Sequence, residues 1–185
     1  MKDIIRYILI KLPFYGIVFN VFPNFIIILS VAALKAEAQP SKAALENQVL
    51  SAVQAYGDGH YDKAIGVLDA VIEKDQTNDA AYYYLGMSYI KKKELDVAEA
   101  YLQKAVELDS SNFWYRQSLA MLYAATSRGE LAIDVYEKLL RDFPKKSDIY
   151  LELVELYASQ KEVDKALETI EEVEKIFGVT ESLAV

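Results

Sequence analysis

The sequence contains no cysteine and a single histidine. The first absence excludes disulfides, thiolate metal sites, a cysteine nucleophile and a lipidated N-terminal cysteine. It leaves the compartment open, because a chain without thiols survives in oxidising and reducing surroundings alike. The second argues against histidine-rich metal sites and histidine proton relays. His60 itself falls in a Gly59-His60-Tyr61 turn with no carboxylate or hydroxyl partner marked by spacing. A glycine-rich phosphate loop, HExxH and GxSxG are also missing. Asp58-Gly59 does not continue into a calcium loop, whose further acidic ligands are lacking. The chain is therefore read as non-enzymatic, with no catalytic residue, no cofactor, no metal ligand and no small-molecule substrate.

Positive charge is scarce as well. The formal net charge is −8. Lys2, Arg6, Lys11 and Lys35 fall in the first 38 residues against only Asp3 and Glu37, so the remainder is more acidic still. Such a body repels phosphate backbones, whose binding needs clustered Lys and Arg, and nucleic acid is set aside as a partner. Lys91-Lys92-Lys93 and Glu171-Glu172 read as solvated helix surface and joint.

Apolar residues are plentiful but unevenly spread. Lys2, Arg6 and Lys11 precede an apolar stretch from Leu12 to Leu34, densest at FIIILSVAAL over 25–34. Lys35 and the small-residue pattern Ala36-Glu37-Ala38 follow. A basic start, an apolar centre and an A-x-A site predict a secretory signal cleaved after Ala38. The rival reading is an uncleaved transmembrane anchor, since a span needs about 20 residues. Asn20, Pro23 and Asn24 interrupt it without forbidding it. Both readings place the rest of the chain outside the cytoplasm: periplasmic or secreted after cleavage, or held at the inner membrane. Membrane contact is expected only through this segment, if uncleaved.

Beyond a short linker (39–44), the sequence repeats every 34 residues. Ala64, Ala98, Ala132 and Ala166 mark the period, each followed four residues later by a large apolar side chain: Leu68, Leu102, Tyr136 and Ile170. Asp62, Asp96, Glu130 and Asp164 keep the same phase, where the dipole of a starting helix favours them. Upstream, Leu85, Leu119 and Leu153 repeat, as do Tyr89, Tyr123 and Tyr157, with Gly86 and Ala120 after the first two leucines. The best copy is DAAYYYLGMSYIKKKELDVAEAYLQKAVELDSSN, residues 79–112. It resembles the tetratricopeptide pattern W-x2-L-G-x2-Y…A-x3-F…P, with Tyr82 for the Trp, then Leu85, Gly86, Tyr89, Ala98 and Leu102. Pro144 supplies the proline of the third copy, and GHYDKA (59–64) resembles the family's helix-to-helix junction.

The chain is thus similar to tetratricopeptide-repeat proteins of the bacterial exported type. The resemblance implies an all-α, right-handed α-solenoid of about four helix–turn–helix repeats (45–78, 79–112, 113–146, 147–180), preceded by the N-terminal signal or transmembrane helix. Residues 181–185 read as the start of an incomplete fifth repeat. Small residues at Gly86, Ala98 and their equivalents let paired helices approach closely, and stacking neighbours buries what one copy cannot.

In this family the first helices line a concave face. The lining positions carried over to this sequence include Tyr83 and Met87 in the second copy, Trp114, Gln117 and Met121 in the third, and Asp148, Leu151 and Glu155 in the fourth. The expected protein-binding residues are Tyr83, Met87, Trp114, Gln117, Met121 and Leu151, taking an apolar peptide or helix. Packing between adjacent repeats is the competing role for these side chains. No lining position is Lys, Arg or Asn, so a clamp for a peptide carboxylate is not expected. The implied function is a non-catalytic interaction scaffold or adaptor. The alternative is a self-assembling module, or a fragment of a longer repeat protein. It would use an open C-terminal end bearing Leu167, Ile176 and Phe177.

Overall fold

The structure, a computed structural model, describes residues 40–178. The expected signal or anchor over 1–38 and the start of a fifth copy at 181–185 lie outside the described residues. What is described is all-α, eight helices in four hairpins. They are α1 (Lys42–Gly57), α2 (Tyr61–Ile72), α3 (Asp79–Lys91), α4 (Leu95–Leu108), α5 (Phe113–Ala125), α6 (Gly129–Asp142), α7 (Ser147–Ser159) and α8 (Val163–Phe177). Helix α1 starts at Lys42, so residues 42–44, expected as linker, are its first turn. Leu45 is buried in the first core cluster, and the turn before it carries that side chain into place. None of the described helices is long and apolar enough to cross a membrane.

Each helix packs on its sequence neighbours, and α1 also touches α3. That one-dimensional contact order is what a stack of repeats requires. The phase-marking alanines Ala64, Ala98 and Ala132 are fully buried between paired helices, and Ala166 nearly so. Gly86 shows why the position is small. A Cβ there would lie 2.7 Å from Leu102 Cγ and 3.1 Å from the Ala98 carbonyl oxygen. The glycine lets α3 sit directly on α4.

The joints repeat as faithfully as the helices. Every first helix ends in a Schellman turn. The amides of His60, Glu94, Arg128 and Glu162 donate to the carbonyls of Ala55, Tyr89, Tyr123 and Tyr157 at 2.8–3.0 Å. The residue before each donor takes positive φ: Gly59 at 80°, Lys93 at 65°, Ser127 at 59° and Lys161 at 64°. The donor residue's own carbonyl then accepts the amide of Ala64, Ala98, Ala132 or Ala166, starting the second helix.

The joints between copies follow a second rule. Asp75 Oδ1 accepts from the amide and hydroxyl of Thr77, and Asp109 Oδ1 accepts from those of Ser111. These bonds hold both carboxyls below the usual carboxylate range. Asn78 and Asn112 then cap α3 and α5 by accepting from Ala81 and from Trp114 and Tyr115. The third such joint has no polar equivalent. Phe143 packs edge-on against Phe113 at 5.3 Å, and the Lys146 ammonium lies 4.5 Å from the Phe113 ring centre.

Candidate functional site

The first helices α3, α5 and α7 place the six expected binding residues, and they do so unequally. On α5, Trp114, Gln117 and Met121 fall at helical spacing i, i+3, i+7, one face of the helix. Trp114 is 61% exposed and Met121 54% exposed. Leu151 on α7 is 63% exposed. Gln117 is half-buried, and its Nε2 donates to Asp148 Oδ2 at 3.2 Å, which ties the α5 face to the start of α7.

Tyr83 and Met87 on α3 are half-buried. The Tyr83 ring stacks on Tyr115 of the next copy, centroids 4.8 Å apart, and its hydroxyl lies 3.4 Å from Ser118 Oγ. Tyr83 therefore contributes to packing between copies, while its outer edge still lines a cleft. It meets Tyr84 edge-on at 5.1 Å, and Tyr84 meets Tyr56 of the first copy at 5.9 Å. A tyrosine row thus runs from α1 through α3 to α5. Tyr115 is fixed by donating to Asp79 Oδ2 at 2.9 Å. Burial first, and then that carboxylate, push the Tyr115 phenol far above its ordinary range, so it remains a neutral donor.

An open cleft of about 380 Å³ is lined by Tyr83, Tyr84, Asn112, Trp114 and Tyr115. Its lining is aromatic apart from Asn112, whose side chain is already spent on the α5 cap. Trp114 stands edge-on to Phe113 at 5.2 Å and has the Lys146 ammonium 5.7 Å from its ring centre, yet most of the residue stays exposed. A larger cleft of about 690 Å³ lies where α5–α6 meets the end of α7, lined by Arg128, Gly129, Leu131 and Gln160 among others. It is walled by joint residues and offers no aromatic anchor.

The tyrosines at fixed repeat positions are core with one exception. Tyr123, Tyr136 and Tyr157 are buried, whereas Tyr89 is half-buried and stacks on Tyr101, centroids 5.5 Å apart. Sequence reasoning missed two ion pairs that tie separate elements together. Arg116, only 9% exposed, reaches Asp142 Oδ2 at 2.5 Å. Arg128 pairs with Glu99 at 2.7 Å and covers the Tyr123 ring at 4.8 Å, joining the third copy to the second. Neither follows from helical spacing, because Arg116 reaches from α5 to α6 and Arg128 from the α5–α6 joint back to α4. His60 is exposed, and no three His, Cys, Asp or Glu side chains among the described residues are grouped to hold a metal ion.

This geometry agrees with what the chain resembles. Two sequence-family models, both described as tetratricopeptide repeat, match residues 49–113 and 123–178. The crystal structure of MamA has a TM-score of 0.67 at 23% identity, covering 78% of this chain and 82% of that one. The first repeat domain of Spaghetti (RPAP3), bound to the HSP90 peptide SRMEEVD, has a TM-score of 0.62 at 20% identity, covering 67% of this chain and 98% of that one. Superkiller complex protein 3 of Mus musculus is 27% identical over 129 residues, which is 65% of this chain but 8% of that protein's length. With the period, the paired helices, the shared joints and the family matches in agreement, the chain belongs to the tetratricopeptide repeat family.

Proposed function

We propose that this protein is a non-catalytic interaction scaffold that takes an apolar peptide or helix on the face formed by α3, α5 and α7. The observation that carries this reading is the exposure of Trp114, Met121 and Leu151 on adjacent first helices beside an aromatic cleft. Tryptophan is a frequent anchor in interfaces, and methionine adapts to different partner shapes. A similarly folded repeat domain was solved with a peptide bound, which supports the same use here. The scaffold works outside the cytoplasm, delivered there by the first 38 residues.

A photo-crosslinker placed at Met121 of the full chain in its own host tests the site. The expected result is a captured partner that is lost on Trp114→Ala while the melting temperature holds. Capture unchanged by Trp114→Ala removes the face as the working site. The mass of the mature N-terminus tests delivery: a start at Gln39 fits a cleaved signal, and an intact Met1 fits an anchor.

The second reading is self-assembly through α8. That helix buries Ala166 and Thr169 but leaves Val163, Leu167, Ile170 and Phe177 exposed. A sedimentation profile that depends on concentration and is normalised by Leu167→Ser would favour it.

A further inference from the structure

The exposed apolar row has an acidic companion. On α7, Asp148, Leu151, Glu152 and Glu155 fall at i, i+3, i+4 and i+7, so three carboxylates flank the exposed leucine on one helix face. Asp148 is held against α5 by Gln117, which brings this carboxylate row beside Trp114 and Met121. Neither Glu152 nor Glu155 has an ion-pair partner among the described residues, although seven ion pairs occur elsewhere in them. Glu152 is half-buried, and burial, then Glu155, then Asp148 raise its carboxyl above the usual range. Like charges have been gathered here without a counter-charge.

A second feature lies beneath them. Tyr136 is fully buried, and its hydroxyl has no hydrogen-bond partner in the protein. Burial first, and then the charges of Glu152 and Asp148, raise that phenol above its ordinary range. The carboxylates are too dispersed to form a metal cage among the described residues. They are spaced as successive ammonium or guanidinium groups along a peptide would need. Lys146, the cation beside Trp114, is spread over the Phe113 and Trp114 rings at 4.5 and 5.7 Å and does not neutralise the row.

Resting on the peptide-binding reading above, we infer that the ligand is cationic: an amphipathic segment whose apolar side chains seat on Trp114, Met121 and Leu151 and whose Lys or Arg side chains meet Asp148, Glu152 and Glu155. An acidic segment such as the SRMEEVD peptide of the similar structure meets only repulsion on this row. Opposite charge also speeds encounter, so association slows as salt rises.

The test uses the full chain in a non-ionic detergent and the fluorescence of Trp114, the single tryptophan. The probes are three Trp-free amphipathic peptides of about 16 residues, long enough to form a helix. They share one leucine face and carry Lys, Gln or Glu on the other. The expected order is Lys over Gln over Glu. Glu152→Gln with Glu155→Gln should weaken the Lys peptide by about fivefold or more and flatten its salt dependence, each exposed pair being modest. The same double change should leave the Gln peptide unaltered. Detergent partitioning cancels between wild type and variant. Equal binding of all three peptides, weakened alike by Met121→Ala with Trp114 still in place as the reporter, overturns the cationic ligand and leaves the face standing. Binding of none of them, with the Trp114 spectrum unmoved, overturns both. Tighter binding of the Glu peptide reverses the inference outright.

Discussion

The second and fourth copies carry one pattern and differ in what closes over it. Leu68, Leu102 and Tyr136 occupy the position four after the phase-marking alanine and are fully buried, whereas Ile170, at the same position of α8, is 41% exposed. Val71, Ala105 and Leu139 are likewise buried, and the equivalent Val173 is half-buried. The alanine itself, turned toward its own partner helix, stays buried in all four copies. Burial within a hairpin is therefore supplied by the copy itself, and burial of the second helix's outer side by the copy that follows. Helix α8 has no described helix after it.

The copies should part most at the shared position. Leu102→Ala opens a space in a closed core and should cost about 2–5 kcal/mol. Ile170→Ala, the same change in the pattern, should stay within about 1 kcal/mol because its site is partly solvated already. Urea denaturation of both variants checks this, and equal losses would mean that something covers α8. Next comes the glycine. Gly86→Val puts into α3 the residue that α7 carries at Val154. With 2.7 Å between a Cβ and Leu102 Cγ, it should cost about 1–3 kcal/mol.

Tyr136→Phe should run the other way. It removes a buried hydroxyl that has no protein partner and should gain about 1 kcal/mol. The gain also has a pH signature. Burial, then Glu152 and Asp148, raise the folded phenol well above its ordinary value of about 10. A raised folded pKa gives stability that is complete below the unfolded value and is lost as pH climbs past it. Above about pH 10 the unfolded phenol ionises while the buried one resists, so the advantage of Tyr136→Phe widens there. Tyr115 and Tyr157 are raised in the same direction and are present in both proteins, so they cancel from the difference. Thermal melts from pH 8 to 11, a range set by the phenol value of about 10, would show it.

Much of this fold was legible because its determinants are local and repeat. The alanine phase, the acidic first turns and the glycine at position 86 each state a contact within one hairpin, and the hairpin is met four times. The candidate face was legible in part. Trp114, Met121 and Leu151 are exposed where the repeat positions put them. Whether Tyr83 stands free or leans on a neighbour depends on Tyr115 in the next copy, and spacing within a copy does not contain that answer. The Arg116–Asp142 and Arg128–Glu99 pairs were hidden for the same reason. The start of α1 was missed because residues 42–44 precede the first recognisable position of the repeat.

The smallest effect lies in the joints, where the copies agree in backbone and disagree in sequence. Gly59 announces its turn, but Lys93, Ser127 and Lys161 adopt the same left-handed conformation with side chains that disfavour it. The hydrogen bonds that close each turn force the geometry, and Cβ crowding in that region costs about 1–2 kcal/mol. Replacing any of the three by glycine relieves that cost and loosens the unfolded chain, so the net gain should be about 0.5 kcal/mol. Gly59→Ala should lose about 1 kcal/mol, since it imposes on the first copy the crowding the others already bear. If the glycine changes help at 93 and 127 but not at 161, the last joint is not held to its turn by a closed core. The difference between copies would then reach past packing into the backbone itself.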